Sequence, residues 1–440
     1  MAEFQAPANK EEYDQNFAPI KPSMTDTQAH YESARCLFCY DAPCIQACPS
    51  DIDIPLFIRQ INSGFPEGAA RTIYDQNWFG HACGKVCPTE VLCEGSCVYT
   101  NQGQPAVDIG RLQAYATSSV LESGKKLYEP GKDNGKKVAI IGSGPAGLGA
   151  ACELRLLGFA VKVFEAKSQP SGLTVHGIAP YKITNSEVLD EMSWLQQQLG
   201  YEVEYDHKVS PEELAQLVED YDAVFIGVGL GKTRSTGIPG EELEGVVGAV
   251  EFVEALRAGE SAVSVPSRVV VLGGGNTAMD VASESARMGA QEVHLVYRRS
   301  KESMGAYEFE YDLAKEAGVR GIFEANPKAI LGEGKVSAVE FVRTRNEDGR
   351  LVEIEGSNFS IDADLVIRAT GQEKQRELYS AVAGLETDEK GRIRVNHEGQ
   401  TGNPKVFAGG DAVNGGAEVV NAVAEGRDAA QAIQSFCFPK

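Results

Sequence analysis

No apolar run in this 440-residue chain approaches the roughly 18 to 20 residues that a membrane-spanning helix needs, which argues against an integral membrane role. The first thirty residues mix Lys10, Glu11, Glu12 and Asp14 and hold no apolar core. The centre of a secretory signal is therefore missing, and a cytoplasmic location is expected. Basic side chains are also in short supply: 41 Lys and Arg stand against 63 Asp and Glu, a formal charge of -22. Such a surface repels a nucleic-acid backbone unless its cations cluster, so no nucleic-acid partner is expected and solubility is the plainer reading. Cysteine is almost absent after residue 97, where only Cys152 and Cys437 remain of ten. The other eight crowd between positions 36 and 97, and that crowding demands a chemical reason.

Composition and length fit a soluble chain of about three domains, with 42% apolar and 24% charged residues. Residues 1–30 carry no periodic pattern and read as a loosely ordered arm. In "IPLFIRQINSGFPEGAARTIYDQN", Ile54, Phe57, Ile58 and Ile61 fall at helical spacing, which predicts a helix between two cysteine-bearing loops. "IGRLQAYATSSVLES" predicts a further short helix, and the linker-like "KLYEPGKDNGKK" closes this region near residue 130. The remainder of the chain alternates strands and helices as doubly wound sheets do. Two segments repeat one plan of strand, glycine turn, helix and strand, starting at Val138 and Val269. "VFAGGDAV" reads as a late strand returning to the first sheet, so the second unit is inserted into the first. The expected class is α/β: a helical domain over 1–130, a first dinucleotide fold over 131–245 and 371–440, and a second over 246–370.

The cysteine spacing narrows the chemistry. Cys36, Cys39, Cys44 and Cys48 are separated by two, four and three residues, with Pro49 directly after Cys48. Cys83, Cys87, Cys93 and Cys97 form a second group, with Pro88 after Cys87. Disulfides are mostly reduced in the cytosol, so metal binding remains. Zinc favours paired C-x2-C units around one tetrahedron. Iron-sulfur loops crowd several thiolates and often end in Cys-Pro, and the spacing favours them here.

Each dinucleotide segment has its own signature. In "KKVAIIGSGPAGLGAACELRLLGFAVKVFEA" the turn Gly142, Ser143, Gly144, Pro145, Ala146, Gly147 comes after a buried strand, and Glu165 closes the next strand about 20 residues on. The glycines allow close approach to a pyrophosphate at the helix N-terminus, and Glu165 is placed for ribose hydroxyls. In "RVVVLGGGNTAMDVASESARMGAQEVHLVYRRS" the turn is Gly273, Gly274, Gly275, Asn276 and Thr277, and the second strand ends in Arg298 and Arg299 instead of an acid. Cations there favour the 2′-phosphate of NADPH over NADH, although they could also only cover the sheet edge.

The stretches "RCLFCYDAPCIQACP", "CGKVCPTEVLCEGSC" and "DIGRLQ" resemble the N-terminal domain of the dihydropyrimidine dehydrogenase family, especially its separate bacterial flavin subunits. The glutamate synthase small subunit is a more distant likeness. The resemblance implies two [4Fe-4S] clusters, one on Cys36, Cys39, Cys44 and Cys97, the other on Cys48, Cys87, Cys93 and Gln113. From spacing alone Gln113 would pass for a helix-surface residue. Cys83, Cys152 and Cys437 are left over as small buried hydrophobes or idle thiols. The first glycine turn resembles the FAD site of disulfide-reductase-like flavoproteins, which implies contacts at Leu173 and Lys182 in "SGLTVHGIAPYK" and at Gly410 and Asp411 in "VFAGGDAV". Most members carry Gly-Gly where Ser171 and Gly172 stand. Ala369, Thr370 and Gly371 in "IRATGQ" resemble the crossover segment between nicotinamide and flavin. Asn276 replaces a frequent Asp, and Gly305 stands where the animal enzyme has a phosphate-binding Arg.

These features together imply an NAD(P)H-dependent converter: hydride passes to FAD, which releases single electrons through two clusters. A pyrimidine-reducing barrel needs about 250 further residues, so the electrons are expected to leave for an FMN and iron-sulfur partner that reduces uracil or thymine, in a heterotetramer. The alternatives are a glutamate synthase small subunit or another electron-input subunit, or, from a different class, a zinc-stapled, redox-inactive nucleotide sensor.

Overall fold

The computed structural model describes residues 4–259 and 263–439, which fall into two compact units. The first comprises the arm up to Pro19, His176–Tyr181 and Gly231–Glu373; the second takes the rest of the chain, so the cysteine-rich helices and the first dinucleotide fold share one unit. Among the described residues no helix is long and apolar enough to cross a membrane.

The larger unit opens with helices around an apolar core of Ile52, Ile54, Phe57, Ile58, Ile61, Ile73, Ile109 and Leu112, against which the cysteines pack. The predicted Ile54 helix forms as Ile54–Asn62, its apolar stripe buried and its first turn capped by Asp53. It does not run on: Gly64 turns the chain with φ +73°, and Pro66–Tyr74 begins a second helix. The helix carrying Gln113 forms over the predicted stretch, Ile109–Ser123. The arm expected to be loosely ordered also carries structure. Lys10–Asn16 is helical on an Asn9 cap, and Asp26–Ala34 on a Thr25 and Gln28 capping box. Side-chain caps start both helices, which is why apolar periodicity passed them by.

A five-stranded parallel sheet comes next, in the order Val406–Ala408, Ala223–Ile226, Lys137–Ile141, Ala160–Phe164, Glu202–Glu204. Its central strands are almost wholly buried, as a sheet covered on both faces requires. Val406–Ala408 joins it beside Ala223–Ile226, so the chain does return to its first sheet after the inserted fold.

The smaller unit repeats the design in the order Val246–Gly248, Leu365–Arg368, Arg268–Leu272, Glu292–Tyr297, Arg320–Phe323, all parallel. It also holds an antiparallel sheet that the strand and helix alternation did not anticipate, built on Lys335–Glu347 with Ala325–Glu333, Arg350–Glu353 and Phe359–Asp362. Lys335–Glu347 turns into Arg350–Glu353 at Asp348-Gly349, both at positive φ, between the paired Glu347 and Arg350.

Candidate cofactor sites

Two cavities lie in the helical region. One is lined by Cys36, Cys39, Cys44 and Cys97, among Ile54, Ile58 and Val107. The other is lined by Cys48, Cys87, Cys93 and Gln113, with Cys83, Asn77 and Val420. Each cavity is thus lined by the four residues that the family resemblance implies for one cluster. Cys83 is only 1% exposed, as a small buried hydrophobe would be, but it also lines the second cavity. Cys152 is buried elsewhere and Cys437 is half-buried.

Close backbone contact sets the second cavity. A Cβ at Gly84 would stand 2.8 Å from Ala114 N, and one at Gly110 would stand 2.9 Å from Gly84 O. The helices Gly80–Val86 and Ile109–Ser123 therefore cross with no side chain between them, which brings Gln113 to Cys87. Gln113 is 7% exposed and not a surface residue. Its Nε2 donates to Gly80 O at 2.7 Å, leaving its amide oxygen as the atom with lone pairs to offer. Lys21 ties the same loop by donating to Cys87 O at 3.0 Å and Thr89 Oγ1 at 2.9 Å.

The donor set fits a multiply charged inorganic core. Burial pushes the Cys44 thiol up to about 12, with neighbouring Cys36 and Cys97 adding to it, and raises Cys36, Cys48 and Cys93. Cys87 is raised first by its hydrogen bond with Cys83 and then by burial. Thiolates this crowded in an apolar wall need a cationic partner. Among the described residues no three His, Cys, Asp or Glu side chains converge on a single-ion centre; the thiols are instead spread round the cavity walls.

The first glycine turn is equally constrained. Gly142 has φ +95°, and a Cβ at Gly147 would stand 1.9 Å from Gly142 O. The helix Pro145–Leu156 has no side-chain cap, so its first N–H groups face the turn for an anion. Glu165 is 8% exposed; its Oε2 accepts from Ser143 N at 2.8 Å and Ser143 Oγ at 2.6 Å, its Oε1 from Lys167 N at 2.8 Å. One Oε1 lone pair is left for a ribose hydroxyl. Ser171 N donates to Ser143 O at 2.8 Å. Ser171 holds φ +79°, which explains why a glycine is usual there, and its buried Oγ has no partner among the described residues. An orphaned hydroxyl beside a phosphate turn fits a bound dinucleotide. Leu173 is partly exposed and Lys182 buried. Gly410 N donates to Glu425 Oε2 at 2.5 Å, and Asp411 accepts from Ala417 N at 3.2 Å. Burial raises the Asp411 carboxyl.

In the smaller unit the helix Asn276–Arg287 also starts without a side-chain cap. Gly305 N and Ala306 N donate to Gly274 O at 2.9 and 3.0 Å, and Asn276 Oδ1 accepts from Tyr307 N at 3.0 Å. Asn276 is therefore engaged in folding this segment over the turn, while Thr277 stays exposed. Arg298 and Arg299 are exposed, and among the described residues neither has a salt bridge. Thr370 O and Gly371 O accept from Arg234 at 3.1 and 2.9 Å, and Ala369 O would stand 2.4 Å from a Cβ at Gly273.

Residues 136–426 match the family model of pyridine nucleotide-disulphide oxidoreductases. The chain belongs to this family. Residues 13–125 match the dihydropyrimidine dehydrogenase domain II, 4Fe-4S cluster model. The chain is 36% identical over 418 residues to the NAD-dependent dihydropyrimidine dehydrogenase subunit PreT of Escherichia coli K12, covering 95% of this chain and 96% of PreT. It is 38% identical over 445 residues to the NADPH glutamate synthase small chain of the same strain, covering 96% and 94%. The fold matches that of Mycobacterium tuberculosis FprA, solved with NADPH, with a TM-score of 0.58 at 22% identity over 68% of this chain and 84% of that one. Family membership makes the chain an NAD(P)H-dependent oxidoreductase with FAD and an N-terminal 4Fe-4S domain.

Asn77 and Lys21 were not legible as site residues in the sequence. Neither belongs to a motif; only their nearness to the cysteines in space marks them.

Proposed function

We propose that the chain is the electron-input subunit of a dihydropyrimidine dehydrogenase, working with an FMN and iron-sulfur subunit that reduces uracil or thymine in a heterotetramer. When bound, FAD accepts hydride from the nicotinamide and hands single electrons to two [4Fe-4S] clusters. Gly142, Gly144, Gly147 and Glu165 hold the FAD dinucleotide half, with Leu173, Lys182, Gly410 and Asp411 along its length. Gly273, Gly274 and Gly275 take the pyrophosphate of the nicotinamide nucleotide, and Arg298 and Arg299 its 2′-phosphate. Cys36, Cys39, Cys44 and Cys97 hold the first cluster; Cys48, Cys87, Cys93 and Gln113 hold the second. Val420, from the segment that returns to the FAD fold, also lines the second cavity, whereas residues 36–109 alone line the first. That difference supports the second cluster as the one beside the flavin and the first as the exit.

The single observation carrying this reading is Gln113, buried and facing the cavity that Cys48, Cys87 and Cys93 share. The identity to a glutamate synthase small chain favours a second reading, in which the acceptor is a glutamate synthase large subunit. The two separate in one experiment. The anaerobically purified chain is mixed with the FMN subunit and uracil, or with a large glutamate synthase subunit, glutamine and 2-oxoglutarate, and NAD(P)H oxidation is monitored. Uracil-dependent oxidation is expected; oxidation only in the second mixture would overturn the first reading.

A further inference from the structure

We propose that Asn77 donates an N–H···S hydrogen bond to the second cluster and raises its reduction potential. The inference rests on the assignment of that cavity to Cys48, Cys87, Cys93 and Gln113.

Asn77 is 0% exposed and is among the residues that line that cavity. Its Oδ1 accepts from Phe79 N at 3.0 Å, which fixes the orientation of the amide. The opposite atom, Nδ2, is a buried donor with no partner among the described residues. A buried N–H left unpaired is costly, so such a group marks an acceptor that the polypeptide does not supply. The neighbouring residues keep it in place. Gln76 O accepts from Arg427 at 2.7 Å, and Trp78 Nε1 donates to Glu153 at 3.3 Å. Arg427 and Glu153 belong to the helices Val419–Cys437 and Pro145–Leu156 of the FAD fold, so the backbone on either side of Asn77 is anchored to that fold while the Phe79 bond holds its side chain. The cavity's other polar side chains are thiols, the Gln113 amide and the Thr89 hydroxyl, and a cluster seated there presents sulfur as the acceptor. Reduction adds negative charge to that sulfur, so an N–H pointing at it stabilises the reduced form.

The test uses the anaerobically purified full chain. In Asn77→Ser an oxygen remains to accept from Phe79 N and the amide nitrogen is gone. Redox titration monitored by electron paramagnetic resonance should show the midpoint of the glutamine-ligated cluster shifted to lower potential and that of the all-cysteine cluster unchanged. Independently, reduced wild-type protein labelled with side-chain 15N asparagine should show a nitrogen coupling to the second cluster in the spin-echo modulation. A cluster-replete N77S protein with both midpoints unchanged, or both shifted equally, would overturn the proposal. So would labelled wild type without the coupling, as when a buried water takes the Asn77 proton. The labelling experiment decides the matter even if N77S loads poorly. A chain purified without iron and sulfide would overturn the site assignment itself, a failure distinct from a missing coupling in a loaded protein.

Discussion

Glu191 offers a quantitative perturbation of the joint between the cluster helices and the FAD fold. It lies on the helix Asn185–Leu199, wholly buried, and accepts from Tyr74 Oη at 2.9 Å, His81 N at 2.6 Å and Ala82 N at 3.0 Å. Glu191→Leu would leave three buried donors orphaned, each worth about 1–3 kcal/mol. Partial relaxation and the shared location reduce the sum, so the expected loss is about 4 kcal/mol, near a thousandfold in the unfolding equilibrium. Glu191→Gln keeps one acceptor oxygen and should lose about 2 kcal/mol. Urea unfolding read by tryptophan fluorescence suits the test, because the chain has only Trp78 and Trp194 and both border this joint. Trp194 packs 5.0 Å from the Tyr74 ring, and Trp78 bonds to Glu153. The same substitution should loosen Gly80, whose carbonyl holds Gln113, so the second cluster should be lost before the first. Glu191→Leu with an unchanged midpoint and unchanged iron content would show that this carboxylate does not hold the joint.

Other substitutions probe each site separately. Gly147→Ala places a methyl 1.9 Å from Gly142 O and should abolish FAD retention, measured as the flavin to protein absorbance ratio; a yellow, replete variant would contradict the turn assignment. Arg298→Ala with Arg299→Ala should raise the KM for NADPH about ten- to hundredfold and leave that for NADH nearly unchanged, since only the former carries a phosphate to pair; equal effects on both would remove the selectivity argument. Although burial alone would raise the Glu187 carboxyl, the neighbouring His81 ring at 3.9 Å, the Lys85 ammonium at 2.7 Å and a bond from Thr184 N hold it well below its ordinary 4.5. A depressed folded pKa stabilises the protein above the unfolded value, and that stability is lost as pH falls below about 4.5. Lys85→Met should flatten this acid limb of the urea midpoint against pH, and an unaltered slope would contradict the pairing.

The sequence was most legible where backbone chemistry leaves few choices. Gly142, Gly147 and Gly273 sit where a Cβ would strike main-chain atoms, so the turns and their strands could be read directly. The cysteine spacing likewise announced metal-binding donors, but the pairing of Cys97 with Cys36, Cys39 and Cys44 came only through the family resemblance, because those residues lie on distant loops that meet at one cavity. Gln113 was legible only through its family motif, because its burial comes from the Gly84 and Gly110 crossing and not from helix periodicity. The antiparallel sheet was missed despite its Asp348-Gly349 turn, an ordinary hairpin signal in a stretch read only for strand and helix alternation. Asn77 and Glu191 carry no local signature at all. Their roles come from partners far along the chain or from a partner the chain lacks.

The metal and flavin content of the anaerobically purified chain, measured before and during titration with NADPH, bears most directly on its role as a hydride-to-electron converter. Two clusters and one FAD predict about eight iron and eight sulfide per flavin, with a broad absorption at about 400 nm that bleaches as NADPH is added. A colourless protein with stoichiometric zinc, or one whose absorption is indifferent to both nicotinamides, would contradict that role.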